Sequence, residues 1–327
     1  MSSRFFRFLL LLGGVLFVSC NQPFDPRGTQ DRRLVVFSIL STDRSAQVVR
    51  VERDYMPQGY DALEYSSDNS VLGATVLLKA GSVTYRLRDT TLTRGDTSRY
   101  KSALRGYIAS SFTPEYGKSY EVTVQSAQFS SVHASVTVPS KPSLSIDASS
   151  VYVLDNPSRS PTNADILFPI TCGTNVRGYI ARLFVEYDVL KGGEWISERA
   201  EMPVSYAYSG LRDFKHVLYG RLMPLPPNRR AVGLYNNELY RKALVSIAYG
   251  KYNSTRTIFN RAVFQVLQLD PNSYNYYFTT HAYNDPHSIR LDEPSYSNVV
   301  GGLGLVGAYT LDSLIHMLPE DFDFNKR

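Results

Sequence analysis

The sequence predicts an all-β protein, with an N-terminal immunoglobulin-like β-sandwich followed by a second β-sandwich-type domain that carries one short helix. Three observations predict it. Apolar and polar residues alternate with a period of two in many short runs, those runs are rich in Val, Thr and Tyr, and Gly, Ser, Asp and Pro separate them. Successive side chains on a strand point to opposite faces, so this alternation marks strands with one buried face.

The first segment stands outside that fold. Arg4 and Arg7 precede an apolar run from Phe8 to Val18, interrupted by Gly13 and Gly14. A bilayer-spanning helix takes roughly 20 apolar residues, so this shorter run reads as a secretory leader. It closes on Phe17-Val18-Ser19-Cys20, with a small residue directly before a cysteine, as lipoprotein processing requires. Phe17 stands where leucine is the commoner residue. Residues 1–19 are therefore expected to be a signal peptide and Cys20 the site of lipid attachment. More than one acyl chain there would anchor the mature protein stably to a membrane. Residues 20–31, with Pro23, Pro26 and Gly28, read as a tether. Asn21 follows Cys20, so the aspartate associated with retention in the inner membrane is absent. Of the 35 basic residues, Arg4 and Arg7 leave with the leader, so 33 face 30 acidic ones. They are scattered and form no basic stripe of the kind nucleic acid needs, so no nucleic-acid partner is expected.

The first domain is expected over residues 32–139. Val49 and Val51 alternate with Arg50 and Glu52, Tyr120, Val122 and Val124 with Glu121 and Thr123, and Val132, Ala134, Val136 and Val138 share one face. A long loop from Tyr55 to Gly73 holds Met56, Pro57, Tyr60 and Tyr65. Pro139-Ser140-Lys141-Pro142 then breaks the pattern, because proline cannot donate to a central ladder. A β-rich domain over 140–327 follows, with strands at Ala164 to Thr171, Tyr179 to Leu190, Lys215 to Leu222 and Ile258 to Leu269. The segment from Glu238 to Ala248 fits either period and is assigned to a strand. One helix is expected after Asp270, which suits the cap, with Pro271 at the first helical position and Tyr274, Tyr277 and Phe278 on one face.

Chemistry is scarcer than structure. Lipid on Cys20 leaves Cys172 alone, which rules out a disulfide within the mature chain and a cysteine metal site. Following Ile166-Leu167-Phe168-Pro169-Ile170, Cys172 reads as a small buried apolar residue. The densest set of potential metal ligands is His281, Asp285, His287, Asp292 and Glu293. The spacing of the two histidines and the intervening Pro286 do not suit a helical zinc site, so this stretch reads as a solvated turn. There is no Gly-x-Ser-x-Gly elbow, and His133, His216, His281, His287 and His316 are the five histidines, with His133 in a strand pattern and His316 beside a tail. Gly301-Gly302-Leu303-Gly304 is followed by Leu305-Val306, where a phosphate-binding loop needs Lys and then Ser or Thr. A dinucleotide fingerprint would need a parallel strand before it and a helix after it. These glycines are instead expected to permit positive φ or a bulge as the last strand docks, with the Asn298 amide satisfying backbone groups nearby. No catalytic set, cofactor or metal is expected. Tyrosine is abundant, at 24 residues against one tryptophan, and most of it belongs on strand faces. Tyr55, Tyr60, Tyr65, Tyr206 and Tyr208 are the candidate interaction surface, since exposed aromatics bind partner surfaces or sugar rings.

Several segments together resemble one known family. They are the leader and tether running into Arg33-Leu34-Val35-Val36, then Gly73-Ala74-Thr75-Val76-Leu77-Leu78 and Gly117-Lys118-Ser119-Tyr120-Glu121-Val122. Near the C-terminus come Tyr274, Tyr276 and Tyr277, then Glu293-Pro294, Tyr296-Ser297-Asn298-Val299 and Gly301-Gly302-Leu303-Gly304-Leu305-Val306-Gly307-Ala308-Tyr309. The chain resembles the Bacteroidota outer-membrane lipoprotein family known as domain-of-unknown-function family forty-two forty-nine, over nearly all of its mature length. Asn298, Gly301, Gly302 and Gly304 carry the ending that marks that family, although Val306 stands where an aromatic is commoner. The resemblance implies an outer-membrane lipoprotein that is not an enzyme, an accessory to a TonB-dependent transporter. The alternative is a surface module that binds glycan or peptide through its loop aromatics.

Overall fold

The computed structural model describes residues 32–54, 68–95, 103–208, 215–249, 257–281 and 296–324. The alternating runs become ladders. The first part of the chain forms β1 (Leu34–Ser41), β2 (Ala46–Arg53), β3 (Thr75–Ala80), β4 (Val83–Arg86), β5 (Arg88–Leu92), β6 (Leu104–Ser110), β7 (Ser119–Gln125) and β8 (Val132–Thr137). Strands β4-β3-β7-β8 make a four-stranded sheet. It faces β1, β2, β6 and β5 across a core that includes Leu34, Val36, Val51, Val76, Val122 and Val136. That is the expected sandwich.

The second part forms β9 (Ser143–Leu144), α1 (Ala148–Asp155), β10 (Asp165–Thr171), β11 (Gly178–Lys191), β12 (Glu194–Glu201), β13 (Ser205–Tyr208), β14 (Lys215–Leu218), β15 (Met223–Pro224) and β16 (Arg230–Asn236). It ends with α2 (Asn237–Tyr249), β17 (Thr257–Leu269), α3 (Pro271–His281) and β18 (Leu303–Met317). A second core gathers Phe168, Leu183, Tyr235, Tyr240, Leu244 and Phe264. Phe168 and Phe264 stack with ring centroids 4.2 Å apart, and Gly233 makes the room, since a Cβ there would lie 2.5 Å from the Phe264 ring.

The two cores divide near Pro139, but the sheets do not. One nine-stranded sheet runs in the order β12-β11-β17-β18-β1-β2-β6-β5, with β15 also pairing β11. Its central strand, β18, is antiparallel to β17 and parallel to β1, in register from Val35 with Leu303 to Ser41 with Tyr309. Val299, Val306 and Ala308 join the first core, while Leu314 packs on the second. Residues 33–327 accordingly form one compact unit.

Two elements depart from the sequence reading. Glu238 to Ala248 lies in a helix, α2, and not in a strand. Leu239, Tyr240, Leu244 and Ala248 are buried at helical spacing, and Ala243 and Ile247 pack against the same core. The Asn236 carboxamide accepts the Glu238 N–H at 2.9 Å, opening that helix in the manner of a cap. Helix α1 was not expected. Asp147 caps it by accepting the Ser150 N–H at 2.7 Å, but its eight residues show little amphipathic pattern. The described residues thus hold three helices, where one was foreseen. The expected helix after Asp270 is present as α3.

Candidate functional site

The family motif sits where the last strand returns. Gly301 and Gly304 have φ of +80° and +117°, which side chains rarely adopt. At Gly304 a Cβ would lie 2.0 Å from the Val36 carbonyl oxygen, so glycine is what lets β18 approach β1. At Gly302 it would lie 2.7 Å from the Leu34 oxygen. Asn298 then locks the strand, as its Oδ1 accepts the Val306 N–H at 2.9 Å and its Nδ2 donates to the Val306 oxygen at 2.7 Å. The amide performs the backbone role expected of it.

Beside this lies a buried polar junction. Asp270 Oδ1 accepts from the Ser273 N–H at 2.9 Å and the Ala308 N–H at 3.0 Å, and Oδ2 accepts from the Asn272 N–H at 3.1 Å. It therefore caps α3 and pins α3 to β18 at once. Burial pushes its carboxyl pKa up, against the opposing pull of these N–H donors. Gln268, fully buried, accepts the Gly173 N–H at 2.7 Å and donates to the Ser140 oxygen and to Thr310 Oγ1, both at 3.0 Å. Sequence reasoning missed Gln268, although a polar residue on the same strand face as Phe264 and Val266 was the available signal. This junction spends its polar atoms on backbone groups and the Thr310 hydroxyl, and its role is to hold the segments at Ser140, Gly173, Gln268 to Ser273 and Ala308 to Thr310 together.

Of the candidate interaction residues, Tyr55, Tyr60 and Tyr65 lie outside the described residues, as do Cys20, Asp285, His287, Asp292 and Glu293. Tyr206 and Tyr208 lie in β13, which pairs with β14 as a separate two-stranded ribbon. Tyr206 stands opposite Val217, and Tyr208 opposite Lys215. The Val204 N–H extends the ladder of the ribbon by donating to the Leu218 oxygen at 2.7 Å. The chain leaving the ribbon crosses β11 at Gly220, where a Cβ would lie 2.2 Å from the Ala181 oxygen. Val217, Leu218, Tyr219 and Met223 are all exposed, so the ribbon and the segment after it carry apolar side chains in water. Those four were not singled out in the sequence; an apolar run without a buried partner was the signal.

Two further candidates for chemistry, Cys172 and His316, take structural positions. Cys172 is buried, and its thiol is pushed up to about 11 by desolvation. His316 is the penultimate residue of β18, directly before the C-terminal segment, with Nε2 2.7 Å from Asp155 Oδ1 at the end of α1. Among the described residues no three His, Cys, Asp or Glu side chains are grouped so as to hold a metal ion.

A family model described as "Domain of unknown function (DUF4249)" matches residues 21–314. A search of the curated proteins finds no match. Among solved structures, the C-terminal globular domain of an oligosaccharyltransferase from Pyrococcus abyssi aligns at 7% identity and a TM-score of 0.22, covering 89% of this chain and 49% of that one. The chain thus spans about half of that protein's length, and a likeness this low carries no argument.

Proposed function

We propose that this chain, which belongs to the DUF4249 family of unknown function, is a lipid-anchored accessory protein of an outer-membrane TonB-dependent transporter and docks on it through the β13–β14 ribbon. The observation that carries the reading is the exposure of Val217, Leu218, Tyr219 and Met223 on or just after that ribbon. Apolar side chains left in water cost free energy that a protein partner recovers by covering them. A two-stranded ribbon is marginal by itself, and a partner surface would complete it. The leader ending at Cys20 supports the membrane anchor. On this reading the protein acts by binding and carries no reaction of its own.

The test is an affinity pull-down of tagged, lipidated protein from gently solubilised membranes, with partners identified by mass spectrometry. Recovery of a TonB-dependent barrel in near-equal amount, lost in the double variant Val217→Asp/Tyr219→Ser, is the expected result. Recovery of the protein alone would sink a stable complex.

A further inference from the structure

We infer that the outer face of strands β11, β12 and β17 is a binding site for a neutral oligosaccharide. Leu183, Val185, Tyr187 and Val189 of β11 point into the second core, so Phe184, Glu186, Asp188 and Leu190 point away from it. Residues directly opposite one another share a face, which places Trp195, Ser197 and Arg199 of β12 beside Leu190, Asp188 and Glu186. On the other side of β11, Glu186 pairs with Arg261 and Tyr187 with Phe259, so Asn260 is the extra residue of a β-bulge. Bulges re-aim side chains, and this one turns Asn260 onto the site, with Nδ2 donating to Asp188 Oδ2 at 2.9 Å. Ser197 Oγ donates to the other carboxylate oxygen of Asp188 at 2.6 Å. An open groove of about 480 Å³ lies over these residues, within the range of small-ligand sites.

The chemistry of the face selects the ligand. Glu186 lies 2.6 Å from Arg261 Nε and 3.9 Å from Arg199 Nε, and the Arg199 guanidinium also sits 3.8 Å over the Phe184 ring. Glu186 and Asp188 face the guanidiniums of Arg199 and Arg261. Glu198, the third carboxylate lining the groove, is held by Lys191 Nζ at 2.5 Å, so the charges cancel and neither an anionic nor a cationic ligand gains net attraction. Hydroxyl groups, by contrast, can use the lone pairs and N–H groups of Asp188, Asn260, Arg199 and Arg261 that these few bonds leave over. Trp195 is 48% exposed and lies two residues from Ser197, roughly 7 Å along the same face. Its ring offers the flat apolar platform that the C–H face of a pyranose covers. The tight hairpin through Gly192 and Gly193, both at positive φ, leads directly into Trp195, on the strand whose Ser197 and Arg199 line the groove.

This surface lies on β11, β12 and β17, whereas transporter docking was placed on β13–β14, and the two readings fail separately. Trp195 is the single tryptophan of the chain, so its emission reports occupancy directly. The experiment uses the full-length protein in a detergent without a sugar headgroup, on an array of neutral gluco-, manno-, xylo- and galacto-configured hexasaccharides with acidic glycans alongside. Retention of a neutral hexasaccharide is expected, with a saturable shift of tryptophan emission in solution. Trp195→Ala and Asp188→Ala should each weaken retention about tenfold or more, as loss of one stack or one charge-assisted hydrogen bond implies. Transporter recovery with Trp195→Ala should be unchanged. No retention of any neutral hexasaccharide, or retention equal in both variants and the parent, overturns the site.

Discussion

At the residue scale, burial decides what the titratable groups can do. Cys172 is desolvated, and a thiol held at about 11 is almost wholly protonated at neutral pH. Native protein at pH 8 is therefore expected to ignore a thiol reagent that labels it promptly after unfolding; prompt native labelling would contradict this burial. Burial of Cys172 was legible, because the apolar run before it is local. Asp270 was legible as a cap, but its bond to Ala308 was not, since that partner is 38 residues away. Burial raises the folded pKa of Asp270 above its unfolded value, so its contribution to stability is fully present below the unfolded carboxylate range and is lost as pH rises through the folded pKa. Urea midpoints between about pH 3.5 and 6.5 should then show the parent losing ground to Asp270→Asn as pH rises. A constant difference between the two would contradict the shift. Asp188 goes the other way, because the Ser197 hydroxyl and the Asn260 amide favour its charged form and hold its pKa low. Asn260→Ala should raise the Asp188 carboxyl titration seen by NMR, and an unmoved titration would remove the bulge from any part in shaping that site.

At the element scale, strands could be read wherever one face is buried, and helices only where a cap coincided with a clear stripe. Helix α2 departs from the strand reading because Ala243, Val245 and Ile247 also alternate at period two, while its buried face packs into a core shared with residues as distant as Phe168 and Leu183. The glycines are more telling, since positive φ alone does not rank them. Gly73 (φ +70°) has open space around its missing Cβ, so Gly73→Ala should cost only the left-handed conformation, about 1 kcal/mol. Gly304→Ala adds a clash with the Val36 carbonyl to a similar strain, and should cost more than about 3 kcal/mol. Chemical denaturation of the two variants checks the ranking, and equal costs would mean that β18 does not approach β1 this closely.

At the scale of the whole molecule, the arrangement hidden from the sequence is the return of the last strand to the first. Alternation specifies which face of a strand is buried but not which strand lies beside it, and β1 and β18 are separated by most of the chain. The break at Pro139-Ser140-Lys141-Pro142 therefore separates the cores without separating the protein into independent parts. A fragment of residues 33–139 keeps eight strands but loses Val299, Val306 and Ala308 from its core and the whole parallel partner of β1. Leu34, Val36 and Leu40 would then lie on an edge strand with its hydrogen-bonding groups open to solvent. Such a fragment is expected to unfold without a cooperative thermal transition, whereas the chain extending to Met317 and beyond unfolds with one. Adding a peptide of residues 296–317 in trans should restore part of the transition, because that segment carries Asn298, the glycines and the strand together. A sharp transition in the fragment alone would show that β18 closes the sheet without being required for the first core. Its absence, with rescue by the peptide, would assign the family's glycine-rich ending to one task, that of closing the sheet between the two halves of the chain.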